Sequence, residues 1–304
     1  MANSKQVFRL LLEGISLNEP QEERECIAYL LMEKIFGMTK ADILAAKKLG
    51  ETDRQWAEGT SKNPKTTLLG KGLSEPLQQI LDRVNHHEPI QYIVGEQEFY
   101  GRTFYVDPSV LIPRPETELL VDEVIKFCRS NKRHSWRLID IGTGSGCIPI
   151  TLSLEIPNLT ATGTDISMDA LGTATKNAGL YRAEVKFVKN DILLEDLSHS
   201  EVDLIVSNPP YITHSEKSSM KANVLEYEPP MALFVPDEDP LVFYKALIKR
   251  GIQLFKGQGW IFVECNEKFV GEVARLFQQH LFDSTKIIKD LSGKDRIVAA
   301  HYQV

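Results

Sequence analysis

The sequence predicts an α/β fold in which a small N-terminal helical domain precedes a mostly parallel sheet with an antiparallel C-terminal edge. Two observations lead to this prediction. From Glu116 onward, short apolar runs typical of strands alternate with helical segments, as in a parallel sheet with helices on both faces. The first 85 residues show helical periodicity and no strand pattern.

The N-terminal segment is predicted to form short helices. Helical spacing over residues 22–36 places the following apolar side chains on one face: Cys26, Ile27, Leu30, Leu31 and Ile35. Thr39 is predicted to cap a helix that ends at Leu49. Ser74 is predicted to cap another helix, with Pro76 in its first turn.

The remaining elements follow in order along the chain. Between residues 90 and 112, two β-rich runs flank Gly101-Arg102 and predict a hairpin. Sheet strands are predicted over residues 137–141, 160–164, 185–189, 202–206 and 260–265. Helices are predicted from Cys147 to Ile156 and, capped by Ser167, to Gly179. Two strands around Ser292-Gly293 would form the antiparallel edge.

These elements predict three regions, a helical domain over 1–87, a hairpin linker over 88–114 and the α/β domain over 115–304. The chain carries a net charge of −7, and residues 1–85 are neutral with 12 basic and 12 acidic side chains. The acidic excess therefore lies in the α/β part. Because nucleic-acid binding relies on Lys and Arg at phosphates, the balance argues against nucleic acid as a direct substrate.

The composition excludes several further classes. No apolar run approaches the roughly 20 residues of a membrane span, so no membrane partner is expected. The N-terminus lacks the apolar core and cleavage site of a secretory signal, and a cytoplasmic location is predicted. The four cysteines are scattered without a CxxC pair, which favours neither a disulfide framework nor a zinc site.

A glycine-rich turn follows the first predicted sheet strand, in the sequence "LIDIGTGSGCI" (138–148). Glycines let the backbone approach a ligand closely, although a plain tight turn would also use them. Asp165 ends the next strand, where its carboxylate can accept hydrogen bonds from ribose hydroxyls. Asp191 follows the third strand, where its carboxylate could accept a hydrogen bond from an adenine amine. Because parallel strands bind ligands at their carboxyl ends, the three features together predict a nucleoside site.

The fourth strand leads into "SNPPYI" (207–212) at the same edge of the sheet. Two prolines donate no backbone hydrogen bonds and cannot continue a central strand, so the segment is either a rigid structural turn or a shaped site. In a site, the Asn208 side-chain oxygen and the Pro209 carbonyl could accept both hydrogens of an amide or amine nitrogen. Tyr211 would supply a flat face for a planar group.

Taken together, "GTGSG", Asp165 and "NPPY" resemble the class I methyltransferases that use S-adenosyl-L-methionine and methylate planar nitrogens. The runs "FYGRTFYVDPSVLIPRPETELLVD" (99–122) and "EYEPPMALF" (226–234) are similar to the HemK/PrmC family, which methylates the GGQ glutamine of peptide-chain release factors. This resemblance covers essentially the whole chain. It implies a Rossmann-like fold, with the helical segment recognising the substrate.

The resemblance also implies roles for individual residues. It assigns cofactor binding to Gly142, Thr143, Gly144, Ser145, Gly146, Asp165, Ile166, Asp191, Ile192 and Asn208. It assigns catalysis to the tetrapeptide Asn208, Pro209, Pro210 and Tyr211. Substrate binding is assigned to the same tetrapeptide together with Arg114 and Glu116.

Two positions depart from the family pattern. Where the family usually has Glu-Ile-Gly followed by Gln, this chain reads Glu264-Cys265-Asn266-Glu267-Lys268. The position after Asp191, often an aromatic that packs on adenine, is Ile192. Ile192 can pack on a base but cannot stack as a ring does.

The expected function is therefore methyl transfer from S-adenosyl-L-methionine to the glutamine side-chain nitrogen of class I release factors. Two alternatives within the same chemistry are an adenine-specific DNA or RNA methyltransferase, which would flip its base into the pocket, and a ribosomal-protein glutamine methyltransferase. An alternative from another class is a non-catalytic nucleoside-binding module. The intact "NPPY" argues against the module, because binding alone would not require it.

Overall fold

A computed structural model describes residues 3–50, 75–131, 133–197 and 201–303. These residues form two compact units. The first contains the described residues up to Gly95 together with Ala222–Tyr227, and the second spans Glu96–Lys221 and Glu228–Val304. Within the described ranges, no helix is long and apolar enough to cross a bilayer.

The first unit is helical, as expected. Its elements are α1 (Ser4–Gly14), α2 (Gln21–Phe36), α3 (Lys40–Leu44), α4 (Glu75–Asn85), α5 (Ile90–Val94) and, from the distant segment, α9 (Ala222–Tyr227). Thr39 caps α3 as predicted, accepting a hydrogen bond from the Asp42 amide at 3.2 Å. Pro76 lies in the first turn of α4, whereas the predicted Ser74 cap lies outside the described residues.

Two details of the helical prediction are wrong. Helix α3 ends at Leu44 and not at Leu49, because the chain turns back through Ala46 (φ 51°) and pairs Lys48 with Asn3. The predicted face of α2 is wrong at Cys26, which is exposed. Leu31 is buried as predicted, and Ile27 and Ile35 pack against the same core. The buried residues of α2 are Ala28, Leu31, Met32 and Phe36. Apolar side chains occur on several faces of this helix, so periodicity alone does not select the face that packs.

The second unit contains a seven-stranded sheet with helices along both faces. In chain order, the first half of this unit comprises β1 (Glu96–Phe99), β2 (Arg102–Tyr105), α6 (Pro115–Ser130), β3 (Trp136–Ile141), α7 (Cys147–Glu155), β4 (Leu159–Asp165), α8 (Met168–Tyr181) and β5 (Val185–Lys189). Its second half comprises β6 (Val202–Ser207), β7 (Ile212–Thr213), β8 (Phe234–Val235), α10 (Val242–Gly251), β9 (Phe255–Glu264), α11 (Val270–Gln278), β10 (Phe282–Lys289) and β11 (Asp295–Gln303).

The strand order is β10-β11-β9-β6-β3-β4-β5, with β11 antiparallel to both of its neighbours and the other pairs parallel. This order confirms the predicted mostly parallel sheet with an antiparallel C-terminal edge. One apolar core lies between the sheet and α6 and α7, and the other between the sheet and α10 and α11. Burial on both faces explains the apolar runs 204–206 in β6 and 261–263 in β9.

The chain reverses direction across the sheet at β3, since β4 and β5 lie on one side of it and β6 and β9 on the other. Ligands bind at such a switch point, beyond the carboxyl ends of the strands. The loops after β3, β4, β5 and β6 therefore converge there. The predicted hairpin is confirmed as β1–β2. Residues 90–94, at the start of the predicted β-rich region, instead form the short helix α5, which ends at Gly95 (φ 77°) just before β1 begins.

Candidate active site

A cavity of about 340 Å³ opens at the carboxyl edge of the sheet, at the switch point. The loops after β3, β4, β5 and β6 all contribute to it. Its lining includes Gly142, Gly144, Asp165, Ile166, Asp191, Ile192, Asn208, Pro209 and Pro210. Residues predicted from four separate segments are thus brought together around one space.

The glycine-rich turn presents its backbone to this cavity. Gly144 has φ 52°, and a Cβ placed there would meet no atom within 4 Å, so the space beside it is open to a ligand. Gly146 serves packing instead, because a Cβ there would lie 3.0 Å from the Ala174 side chain. The side chains of Thr143 and Ser145 are buried. Binding by these two residues and Gly146 stays a prediction.

Asp165 supports the turn as well as lining the cavity. Its Oδ2 accepts the Gly144 N–H and its Oδ1 accepts the Ser167 N–H, each at 2.9 Å. Burial raises the pKa of the Asp165 carboxyl, against the opposing effect of these backbone donors. Each carboxylate oxygen has a second lone pair, so Asp165 can bind both backbone N–H groups and still accept a hydrogen bond from a ligand hydroxyl.

Asp191 and Ile192 line the cavity next to the end of β5. Asp191 Oδ1 accepts the Leu193 N–H at 2.9 Å, which fixes the turn that follows the strand. The Ile192 side chain is buried. The expected apolar contact on one side of a base is therefore available at Ile192.

Asn208 lies at the end of β6 with its amide nitrogen already engaged. Its Nδ2 donates to Thr117 Oγ1 at 3.0 Å, and that hydroxyl donates to Glu264 Oε2 at 2.8 Å. Because the nitrogen end is held, the side-chain oxygen is the group left to accept hydrogen bonds at the cavity.

Tyr211 turns its hydroxyl toward the same carboxylate. Its Oη donates to Glu264 Oε1 at 3.1 Å. Burial and the neighbouring Glu264 charge raise the pKa of Tyr211, so the phenol stays protonated. Glu264 is 1% exposed, and burial raises the pKa of its carboxyl while the Thr117 and Tyr211 hydroxyls oppose that shift.

Arg114 and Glu116, the two predicted substrate residues of the "RPETE" run (114–118), have surroundings unlike those of the tetrapeptide. Arg114 pairs with Glu228, which is 2% exposed and also accepts the Ile112 N–H at 3.3 Å. Glu116 is exposed at the start of α6. Arg114 therefore has a structural partner that joins the loop before α6 to the "EPP" segment, and substrate contact by either residue stays a prediction.

The loop that departs from the family pattern contacts the tetrapeptide. Asn266 Nδ2 lies 3.4 Å from both the Tyr211 carbonyl oxygen and Glu216 Oε2. Lys268 forms an ion pair with the same Glu216 carboxylate. Asn266 and Lys268, which differ from the family pattern, thus stabilise the segment that follows Tyr211.

The comparisons with known proteins agree with this geometry. Residues 116–227 match the methyltransferase small domain family. A release factor glutamine methyltransferase of Bacteroides thetaiotaomicron is 39% identical over 283 residues, covering 93% of this chain and 94% of the relative. One of Flavobacterium psychrophilum is 40% identical over 284 residues, covering 93% of each. The chain belongs to the release factor glutamine methyltransferase family.

This membership confirms the family resemblance of the sequence motifs. Among solved structures, the hMettl16 catalytic domain in complex with MAT2A 3'UTR hairpin 1 gives a TM-score of 0.53 at 19% identity, covering 78% of this chain and 84% of that one. At that identity the likeness supports the class I methyltransferase fold alone.

Sequence reasoning missed several residues that organise the site of this glutamine methyltransferase family member. Thr117 lies in the "RPETE" run and Glu264 precedes the loop that departs from the family pattern, and neither pattern by itself indicates a role for these two residues. Asn177 on α8 accepts the Tyr105 N–H and donates to the Tyr105 and Ser145 carbonyls, which joins the hairpin to the glycine turn. A buried polar residue inside a helix is the signal that could have identified Asn177.

Proposed function

We propose that this chain transfers a methyl group from S-adenosyl-L-methionine to the side-chain amide nitrogen of the glutamine in the GGQ motif of class I peptide-chain release factors. The observation that carries the proposal is the Asn208 amide, which lines the cavity with its nitrogen bonded to Thr117 and its oxygen left as an acceptor. Membership of the family named above supports the same reaction.

The cavity suits this cofactor. Its lining contains the carboxylates of Asp165 and Asp191 and, among the described residues, no Lys or Arg, which favours a cationic ligand with hydroxyl groups. The open backbone at Gly142 and Gly144 leaves room for close approach. When bound, S-adenosyl-L-methionine supplies a methyl group on a positively charged sulfur and leaves as the neutral thioether.

The residues of this chain would mainly position the glutamine. Asn208 Oδ1 and the Pro209 carbonyl can accept the two amide hydrogens, which directs the nitrogen and raises its electron density. Pro209 and Pro210 have no N–H that would compete for the amide. The nitrogen exchanges one hydrogen for the methyl group, and the proton passes to water. Orientation of this kind can lower the activation free energy by about 7–11 kcal/mol.

Selection of the release factor requires contacts beyond this slot. Most proteins carry glutamines, so a site that holds one amide cannot discriminate among them. Binding energy from remote contacts can position a reacting group. We assign that part to the helical segment over 1–87, with the hairpin region 88–114 as the linker to the catalytic part over 115–304.

Methyl transfer from radiolabelled cofactor tests the proposal. Purified enzyme is incubated with release factors, ribosomal proteins and DNA, and the labelled product is mapped by mass spectrometry. We expect label on the GGQ glutamine alone. Label on a ribosomal protein or on adenine, with none on release factors, would assign the enzyme to another substrate, and cofactor binding without any product would indicate a binding module.

A further inference from the structure

Three side chains from separate elements form one hydrogen-bonded chain behind the cavity. Glu264 at the end of β9 accepts the Thr117 hydroxyl, and Thr117 in the first turn of α6 accepts the Asn208 amide. Thr117 and Glu264 are 3% and 1% exposed. Building on the proposed function, we infer that Thr117 and Glu264 are positioning residues that keep the Asn208 side-chain oxygen directed to the substrate amide.

The direction of each hydrogen bond fixes which end of the amide faces Thr117. An ionised carboxylate accepts hydrogen bonds and cannot donate them. Thr117 must therefore give its one hydroxyl proton to Glu264 and keep its lone pairs for Asn208. In the Asn208 side chain only the nitrogen can donate to those lone pairs. A flipped amide would place Oδ1 against Thr117 Oγ1 with no proton between them.

The same carboxylate also holds the other end of the tetrapeptide. Glu264 Oε1 accepts from Tyr211 Oη at 3.1 Å while Oε2 accepts from Thr117 at 2.8 Å. The two prolines between Asn208 and Tyr211 restrict the intervening backbone. One buried group thus orients both polar side chains of "NPPY" from outside the cavity, since neither Thr117 nor Glu264 is among the described residues that line it.

A purely structural network would look similar, because any buried carboxylate needs hydrogen-bond donors. The two roles differ in what their loss changes. A structural role affects the free energy of unfolding and leaves turnover of the folded enzyme unchanged. A positioning role lowers kcat in an enzyme that still folds and binds its cofactor.

The experiment compares Thr117→Val, which has a similar shape but no hydroxyl, with Thr117→Ser, which keeps the hydroxyl. Thr151→Val is the matched control, because Thr151 is a buried threonine on α7 whose hydroxyl has no hydrogen-bond partner within the described residues. We expect Thr117→Val to lower kcat on release factor about tenfold or more while cofactor affinity stays within about twofold. Thr117→Ser and Thr151→Val should stay close to wild type.

A second readout does not depend on activity. The side-chain amide signals of Asn208 in ¹⁵N NMR, assigned with Asn208→Asp, report the hydrogen bond to Thr117 directly. We expect these signals to move, and their hydrogens to exchange faster, in Thr117→Val but not in Thr117→Ser. Glu264→Gln provides a second variant if Thr117→Val does not fold, because a glutamine can donate to a hydroxyl and reverse the chain of hydrogen bonds.

The outcomes separate the two proposals. Wild-type kcat and unchanged Asn208 signals in Thr117→Val would overturn the positioning role, whatever the substrate. Changed Asn208 signals with wild-type kcat would show a purely structural bond and would also overturn the positioning role. A wild type that labels no release factor would refute the proposed substrate, and the positioning role would then be judged by kcat on whichever substrate is labelled. Equal losses of kcat in Thr117→Val and Thr117→Ser would also overturn it, since the serine hydroxyl can make the same bonds.

Discussion

Asp140 on β3 is a buried carboxyl group close to the glycine turn. It is 0% exposed, and neither carboxylate oxygen has a hydrogen-bond partner within the described residues. Burial, with a smaller contribution from the Asp165 charge, raises the pKa of Asp140 from 3.8 to about 7. We predict that Asp140→Asn removes a pH dependence of stability that the wild-type protein shows.

The sign and size follow from proton linkage. The folded state holds its proton more tightly than the unfolded state, so the stabilisation is complete below pH 3.8 and is lost as the pH rises through about 7. The whole loss is about 4 kcal/mol, of which about 2 kcal/mol falls between about pH 5.5 and about pH 8.5. Asparagine does not ionise, so Asp140→Asn should lack this part of the slope.

Urea unfolding followed by tryptophan fluorescence measures the slope. Trp136 and Trp260 lie on β3 and β9, so replacing Trp56 by phenylalanine leaves a signal from the sheet. The difference between Asp140→Asn and wild type should grow by about 2 kcal/mol from about pH 5.5 to about pH 8.5. Glu184→Gln, at an exposed position, is the control. A difference that does not change with pH would refute the reasoning.

Three further predictions concern the reaction. Asp165→Ala should weaken S-adenosyl-L-methionine binding by roughly 1–3 kcal/mol, because it removes a hydroxyl acceptor and frees the Gly144 and Ser167 amides that it holds. Calorimetry that finds unchanged affinity would contradict this role. Asn208→Ala should lower turnover far more than cofactor affinity, and turnover within about twofold of wild type would exclude the orienting role. A release factor whose GGQ glutamine is replaced by asparagine should not be labelled, and mass spectrometry showing methyl on that factor would disprove the specificity.

Local patterns predicted much of the fold and several residues that line the cavity. Alternating strand and helix segments predicted the parallel sheet, because burial on both faces imposes apolar runs on its strands. The glycine turn, Asp165 and Asp191 were identified because each follows a strand, and the carboxyl ends of parallel strands meet at one edge. The tetrapeptide at 208–211 stood out because prolines cannot continue a central strand.

Packing decided the remainder. The buried face of α2 and the end of α3 at Leu44 depend on which neighbouring residues cover each side chain. Sequence periodicity does not identify those neighbours. The Arg114–Glu228 pair joins residues 114 positions apart, and the Thr117–Glu264 bond joins residues 147 positions apart. A buried carboxylate requires specific donors, and their identity depends on the side chains that the folded sheet brings beside it. The sequence by itself therefore determined the sheet, the edge at which the cavity lies and the "NPPY" segment, whereas only the tertiary structure decided what holds Asn208 and Tyr211 in place.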